Sequence, residues 1–283
     1  MKNRVLVVLL VALFLGVFAG SYYNDLDVQE KVLTAHFIDV GQGDAIFIET
    51  PNNKSLLIDA GSGSKGKIVV DYLKSIGIEL IDAVVATHPH EDHIGGLPEV
   101  FQSFDVKNVY FTDHEHTSLT YERFLEAVNA SGAKRIRAIQ GRSIEIDPDV
   151  KIEILSPLID RRYQTLNHSS VVLKLTFGDT SFLFTGDAEI LNEKELLNMK
   201  APLNSDVLKV AHHGSATSSS LSFLQDVSPR YAVIFCAKEN SYGHPHLEVL
   251  ERLSFLDIEI LRTDLLSTIV LESDGKKVTR ICR

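Results

Sequence analysis

Residues 82–96, DAVVATHPHEDHIGG, constrain this chain more than any other stretch. An apolar run of strand length passes without a break into three histidines and two acids within six positions, 88–93, and then into a Gly-Gly pair. Ionisable groups crowded in this way repel one another and lose solvation when buried. A bound cation reverses that balance, since imidazole suits borderline ions such as zinc and a carboxylate can bridge two ions or complete one shell. Alternate residues of an extended loop point the same way, so His88 and His90 can chelate one ion, with Asp92 and His93 turned toward a neighbouring position. Gly95-Gly96 then lets the backbone turn sharply into a helix.

Further donors stand where other strands end. SFLFTG runs into Asp187, and DVLKVA runs into His212-His213. If these strand ends lie side by side at one edge, groups far apart in sequence meet. The rest of the pattern predicts such an edge. LTAHFIDV, DAIFIET and SLLIDAG read as adjacent strands separated by GQG and PNNK turns. Helices are expected at 67–77, 95–104, 118–131, 188–199, 220–227 and 246–256. Strands are expected at 106–112 and 134–139, through SIEIDPDVKIEIL and SSVVLKLTFGDTSFLFTGDA, and at YAVIFCA, IEILRT and STIVLESD. Strands in two blocks, each interleaved with helices, predict an α/β sandwich of two sheets face to face with helices outside, formed by one domain over 32–283.

HPHEDHIGG matches the HxHxDH signature of the metallo-β-lactamase superfamily. HFIDVGQGDAIFIET, LLIDAGSG, LNHSSVVLKL, FLFTGDA, DVLKVAHHGS and NSYGHPH together resemble the extracytoplasmic metallo-β-lactamase-like domain of ComEC-type competence proteins and their stand-alone relatives. The resemblance runs from about residue 34 to the final strand. It implies an αββα fold with two mixed β-sheets and helices on the outer faces, two divalent metal ions (zinc, or manganese in some relatives), and a hydrolase whose proposed role in the competence branch is cleavage of DNA phosphodiesters. Carried over by position, His88 and His90 would hold the first metal, and Asp92 and His93 the second, with Asp187 bridging. For the remaining ligand of the second metal we favour His212, with His213 as the alternative. The chain departs from the wider pattern at Asn167-His168-Ser169. There His168 is either the third ligand of the first metal or a neighbouring polar residue, with water completing the shell. Two ions about 3.5–4 Å apart make hydroxide available at neutral pH. Asp92 would orient it, and His244 and whichever of His212 and His213 is unliganded (His213, on the favoured assignment) are candidates to protonate the leaving group. Asp59 reads as a carboxylate that orients a metal-bound histidine. Asp39 and Asp44 read as turn chemistry.

Composition adds bounds rather than a mechanism. The net charge of −10 argues against a broadly basic nucleic-acid-wrapping surface, though not against a nuclease with a local phosphate site. Lys134, Arg135 and Arg137 are the basic cluster, and a solvated strand face explains them as well as a polyanion contact does. Lys2 and Arg4 precede sixteen uncharged residues, 5–20, the pattern of a secretory signal or an N-terminal membrane anchor over 1–22. That places the rest of the chain outside the cytoplasm, secreted or held on the outer face of the membrane through residues 5–20. Cys236 and Cys282 either pair or stay as buried thiols. No protein partner is expected. The leading expectation is a phosphodiesterase acting on DNA. The alternatives are a hydrolase of a small ester or a phosphorylcholine-type phosphodiester, and a non-catalytic DNA-binding scaffold.

Overall fold

A computed structural model describes residues 31–281. The N-terminal apolar run and Cys282 lie outside the described residues, and so do the leader or anchor and the cysteine pairing expected of them. Among the described residues, no helix is long and apolar enough to cross a membrane.

Two mixed sheets face each other. The first begins with an antiparallel meander of β1 (Leu33–Phe37), β2 (Ile46–Glu49) and β3 (Ser55–Ile58). It continues in parallel through β4 (Leu80–Ala86), β5 (Asp105–Phe111) and β6 (Lys134–Arg137). The chain then crosses to a second sheet. There β7 (Val150–Ser156), β8 (Val172–Phe177) and β9 (Thr180–Phe184) are antiparallel, and β10 (Val207–Lys209), β11 (Tyr231–Ile234) and β12 (Glu259–Arg262) follow in parallel. Finally β13 (Ile269–Ser273) and β14 (Val278–Ile281) return to the first sheet, β13 pairing with β1.

Period-2 alternation explains why the sheets stack. In β3, Leu56 and Ile58 face the second sheet, while Leu57 faces the helices. In β9, Phe182 and Phe184 point inward and Leu183 outward. Strands apolar on both faces need cover on both. The inner layer is knit by Phe37, whose ring lies 6.3 Å from that of Phe184 and 6.0 Å from that of Phe235. Burying each such ring contributes roughly 1.5–3 kcal/mol. Helices Gly66–Ser75, Leu97–Ser103 and Leu119–Ser131 cover the first sheet with Val69, Leu73, Val100, Phe101 and Phe124. Helices Ile190–Asn198, Leu221–Val227 and Leu247–Phe255 cover the second with Leu196, Phe223, Leu224 and Leu253. This is the αββα arrangement expected from the sequence.

Two local departures have physical causes. The helix expected over 95–104 is split into Glu91–Ile94 and Leu97–Ser103. At the break, a Cβ on Gly96 would sit 2.1 Å from the Ala60 carbonyl oxygen, so only glycine permits this approach of the cluster to the end of β3. The strand expected over 143–155 begins only at Val150, with Ser143 contributing a single bridge to Glu153. Between them, the Asp147 carboxylate accepts bonds from the Thr50 hydroxyl and the Asn52 amide, making a turn of residues that alternation alone assigns to strand. The charged strand β6 ends the first sheet, where Lys134, Arg135 and Arg137 are exposed on an edge that charges keep from pairing with another chain.

Candidate metal centre

The carboxyl ends of β4, β9 and β10 bring the predicted residues together. After β4 the chain stays extended through His90 (φ −73°, ψ 150°), then starts the short helix Glu91–Ile94. His88 Nε2 and His90 Nδ1 come within 2.9 Å, while Asp92 and His93 are carried round by the helix. His93 is fully buried. Asp59, at the end of β3, accepts from the Thr87 amide at 2.8 Å and the Thr87 hydroxyl at 2.6 Å, and it faces His93 Nδ1 at 2.8 Å. One carboxylate thus fixes the ring and aims Nε2 into the site, the orienting role its position suggested.

Asp187 enters from the second sheet. Its Oδ2 lies 3.3 Å from His93 Nε2, 3.7 Å from His213 Nε2, 3.8 Å from His88 Nε2 and 3.9 Å from His212 Nε2. A single carboxylate oxygen therefore stands among four imidazole nitrogens supplied by both sheets. After β10 the chain takes three left-handed residues in succession, His212 (φ 50°), His213 (φ 54°) and Gly214 (φ 80°). The two histidines each carry a cost of about 1–2 kcal/mol for that conformation. A Cβ on Gly214 would sit 2.6 Å from Pro245 Cβ, so the turn also needs its glycine.

The left-handed turn reverses the expected order of the histidine pair. His213 is 2 % exposed, with Nε2 3.2 Å from Asp92 Oδ2. His212 is half-buried, and its Nδ1 faces the Glu189 carboxylate at 3.4 Å and the Thr217 hydroxyl at 3.1 Å. His213, rather than the favoured His212, has the geometry of a ligand. His168 does not join the cluster, because its Nε2 meets Glu189 Oε2 at 2.9 Å. The neighbouring Asn167 faces His212 instead, with Nδ2 3.4 Å from His212 Nε2 and a buried Oδ1 that has no hydrogen-bond partner. His244 forms one wall. Its ring lies 5.7 Å from that of His212 and 6.2 Å from that of His213, and Tyr242 stacks on it at 5.5 Å. A cavity of about 260 Å³ opens on the cluster, lined by Gln42, His90, Asp92, Asp187, His212, His213, Tyr242 and His244.

Unpaired buried atoms test whether these residues fit a metal. His93 Nε2, both ring nitrogens of His213, and Asp187 Oδ1 are buried without a hydrogen-bond partner, the ring nitrogens lying out of line with nearby carboxylates. Such atoms are costly to leave bare, and all four belong to residues of the expected ligand set. His88, His93 and Asp187 form one compact donor group, and Asp92, His93 and His213 form a second. A third, Asp44, Asp59 and His93, is already committed: Asp59 to Thr87 and His93, and Asp44 to Lys209. The donor set fits divalent ions of zinc's preference.

Electrostatics separate the histidines. Burial, with His93 nearby, holds His88 well below the ordinary imidazole value. Burial pushes His93 the same way, but Asp187, Asp92 and Asp44 outweigh it and raise it well above. Burial also opposes ionisation of Asp92, yet His93 and His213 outweigh it and leave that carboxyl far below its usual range. His212 is raised, the Glu189 hydrogen bond and Asp187 overcoming burial. Burial, then the His213 and His212 rings, lower His244 to about 4.

The profile of the metallo-beta-lactamase superfamily matches residues 38–238. The chain belongs to the metallo-β-lactamase superfamily. Members of this superfamily are generally metal-dependent hydrolases, and the fold implies divalent metal ions. Relatives of this superfamily chain include ComE operon protein 3 of Bacillus subtilis, 33 % identical over 249 residues, covering 82 % of this chain and 32 % of that protein. Competence protein ComA of Neisseria gonorrhoeae is 31 % identical over 245 residues, covering 86 % and 33 %. The chain thus spans about a third of the length of these relatives. Among solved structures, the metallo-beta-lactamase fold protein YhfI from Bacillus subtilis matches with a TM-score of 0.59 at 15 % identity, covering 86 % of this chain and all of that one.

Asp44, Lys209 and Asn167 are what sequence reasoning missed. Lys209 had a usable signal. A lysine inside the apolar strand VLKVA cannot reach water from a covered sheet, so it requires a buried carboxylate.

Proposed function

We propose that this chain is a two-metal phosphodiesterase acting on nucleic acid outside the cytoplasm. The observation that carries the reading is Asp187 Oδ2 standing among four imidazole nitrogens from two sheets. His88 and His90 would hold one ion and Asp92, His93 and His213 the other, with Asp187 shared by both sets. When bound, two divalent ions supply a hydroxide nucleophile at neutral pH and polarise the phosphoryl oxygen. Asp92, held ionised, accepts a hydrogen bond from the attacking oxygen and orients it. Burial notwithstanding, the Glu189 hydrogen bond and Asp187 raise His212 above the ordinary imidazole value, and its place at the cavity wall makes it the candidate donor to the leaving oxygen. His244 stays neutral at physiological pH and serves as an acceptor rather than the acid. The competence names of the relatives support a nucleic-acid substrate.

Incubating the full-length chain with single-stranded DNA and zinc or manganese, beside Asp187→Ala, tests the reading. Cleavage by the wild type and none by the variant is expected. Equal cleavage by both sinks it, and turnover of bis(p-nitrophenyl) phosphate without any of DNA moves the substrate to a small phosphodiester. We further propose that residues 5–20 carry the chain to the outer face of the membrane. Recovery of an intact N-terminus from the cytosolic fraction alone would contradict this.

A further inference from the structure

Two carboxylates stand behind the buried histidines of the centre, and only one is closed. Asp59 meets His93 Nδ1 at 2.8 Å. Asp44 Oδ1 stops 3.6 Å short of His213 Nδ1, and both atoms are buried without a hydrogen-bond partner. The second oxygen of Asp44 is held by Lys209 Nζ at 2.5 Å, with Lys209 0 % and Asp44 2 % exposed on their side chains. Lys209 also donates to the Gly186 carbonyl at 2.8 Å and lies 3.7 Å from Asp187 Oδ1. Backbone bonds tie Asp44 to the other half of the site: its amide donates to the Asp92 carbonyl at 3.2 Å, and its carbonyl accepts from Gly61 at 2.8 Å. Gly43 makes the approach possible, since a Cβ there would lie 2.3 Å from the Asp92 carbonyl oxygen. One buried ammonium therefore joins the first sheet's early turn to the second sheet's Asp187 turn.

We propose that Asp44 Oδ1 accepts a hydrogen bond from the Nδ1–H of His213 when that ring ligates through Nε2, and that Lys209 is a positioning residue setting the distance between the two halves of the metal site. The inference rests on the two-metal reading above. A neutral imidazole that ligates through one nitrogen carries its proton on the other, and that proton needs an acceptor. Asp44 Oδ1 is the orphaned acceptor facing the orphaned ring nitrogen at 3.6 Å. A buried ion pair stabilises a fold no better than a well-packed apolar pair. Its value here is geometric: Lys209 occupies one oxygen of Asp44, leaving the other to face His213.

Nitrogen-15 correlation spectra of the zinc-loaded, full-length wild type read the arrangement directly. His213 is expected to show zinc on Nε2 and a slowly exchanging, strongly deshielded proton on Nδ1. Chelator competition then measures zinc affinity in Asp44→Asn, in Lys209→Met and in the double variant, which leaves no lone buried charge. Each single change is expected to weaken the weaker-held zinc by about 10–100-fold, and the double to lose no more than the worse single. Two bound zinc ions with His213 ligating through Nδ1, or with an Nδ1 proton in free exchange with solvent, overturn this inference alone. So does a folded double variant that binds both ions with wild-type affinity. A wild type that binds no zinc overturns the two-metal reading as well.

Discussion

The two halves of the centre are prepared to different degrees. On the first sheet, Asp59, Thr87 and His93 are already locked by bonds of 2.6–2.8 Å, and the HPHEDH backbone is extended and then helical. On the second, His212 and His213 sit in left-handed conformations, and His213 has neither ring nitrogen bonded. The first half is fixed by the protein's own hydrogen bonds, whereas the second presents buried ring nitrogens with no protein partner. Preorganised side chains lose less freedom on binding, so on the two-metal reading the first sheet's ligands are expected to contribute more of the affinity than the second sheet's.

The largest effect should come from removing the residue the halves share. Asp187→Ala is expected to abolish cleavage and lower the affinity for both ions by more than the roughly 100-fold upper range of an orienting residue. Retention of two tightly bound ions would break the comparison. Asp59→Asn tests the prepared half. It should weaken metal binding about 10–100-fold and cost about 1–3 kcal/mol of apo stability, because a buried charge-assisted bond from Thr87 is lost. A thermal melt of the metal-free chain reads the second quantity, and an unchanged melting temperature would show that the lock is not formed without metal.

A pH dependence follows with a definite sign. His93 is held protonated in the metal-free chain by Asp187, Asp92 and Asp44, and its Nε2 must lose that proton to ligate. Metal binding should therefore release protons at neutral pH and weaken as pH falls. Calorimetry in buffers of different ionisation enthalpy checks it, and buffer-independent heats would contradict it. The smallest effect is expected for His168→Ala. Its ring answers to Glu189 rather than to the cluster, so metal stoichiometry should be unchanged. Loss of one ion from His168→Ala would return His168 to the ligand set.

What could be read from residues alone follows the range over which the physics acts. His88, His90, Asp92 and His93 were legible because they are contiguous, and Asp187 because it ends a strand. Alternation separated inward from outward residues in β3 and β9, and with them the two sheets. The choice between His212 and His213 was not legible, because a left-handed turn exchanges the directions that neighbouring residues face. The two readings of His168 could not be separated for a similar reason, as a tight turn over 167–169 turns Asn167 toward His212 and His168 toward Glu189. Asp44 looked like turn chemistry because its partner, Lys209, lies on the other sheet. Pairings across the sandwich have no local signature.

The central claim is that strand ends from both sheets meet to hold two ions through one shared carboxylate. Elemental analysis of the zinc-loaded, full-length chain beside Asp187→Ala tests it most directly. Two ions per wild-type chain, falling below one in the variant, is the predicted result. A single ion in both proteins would contradict it.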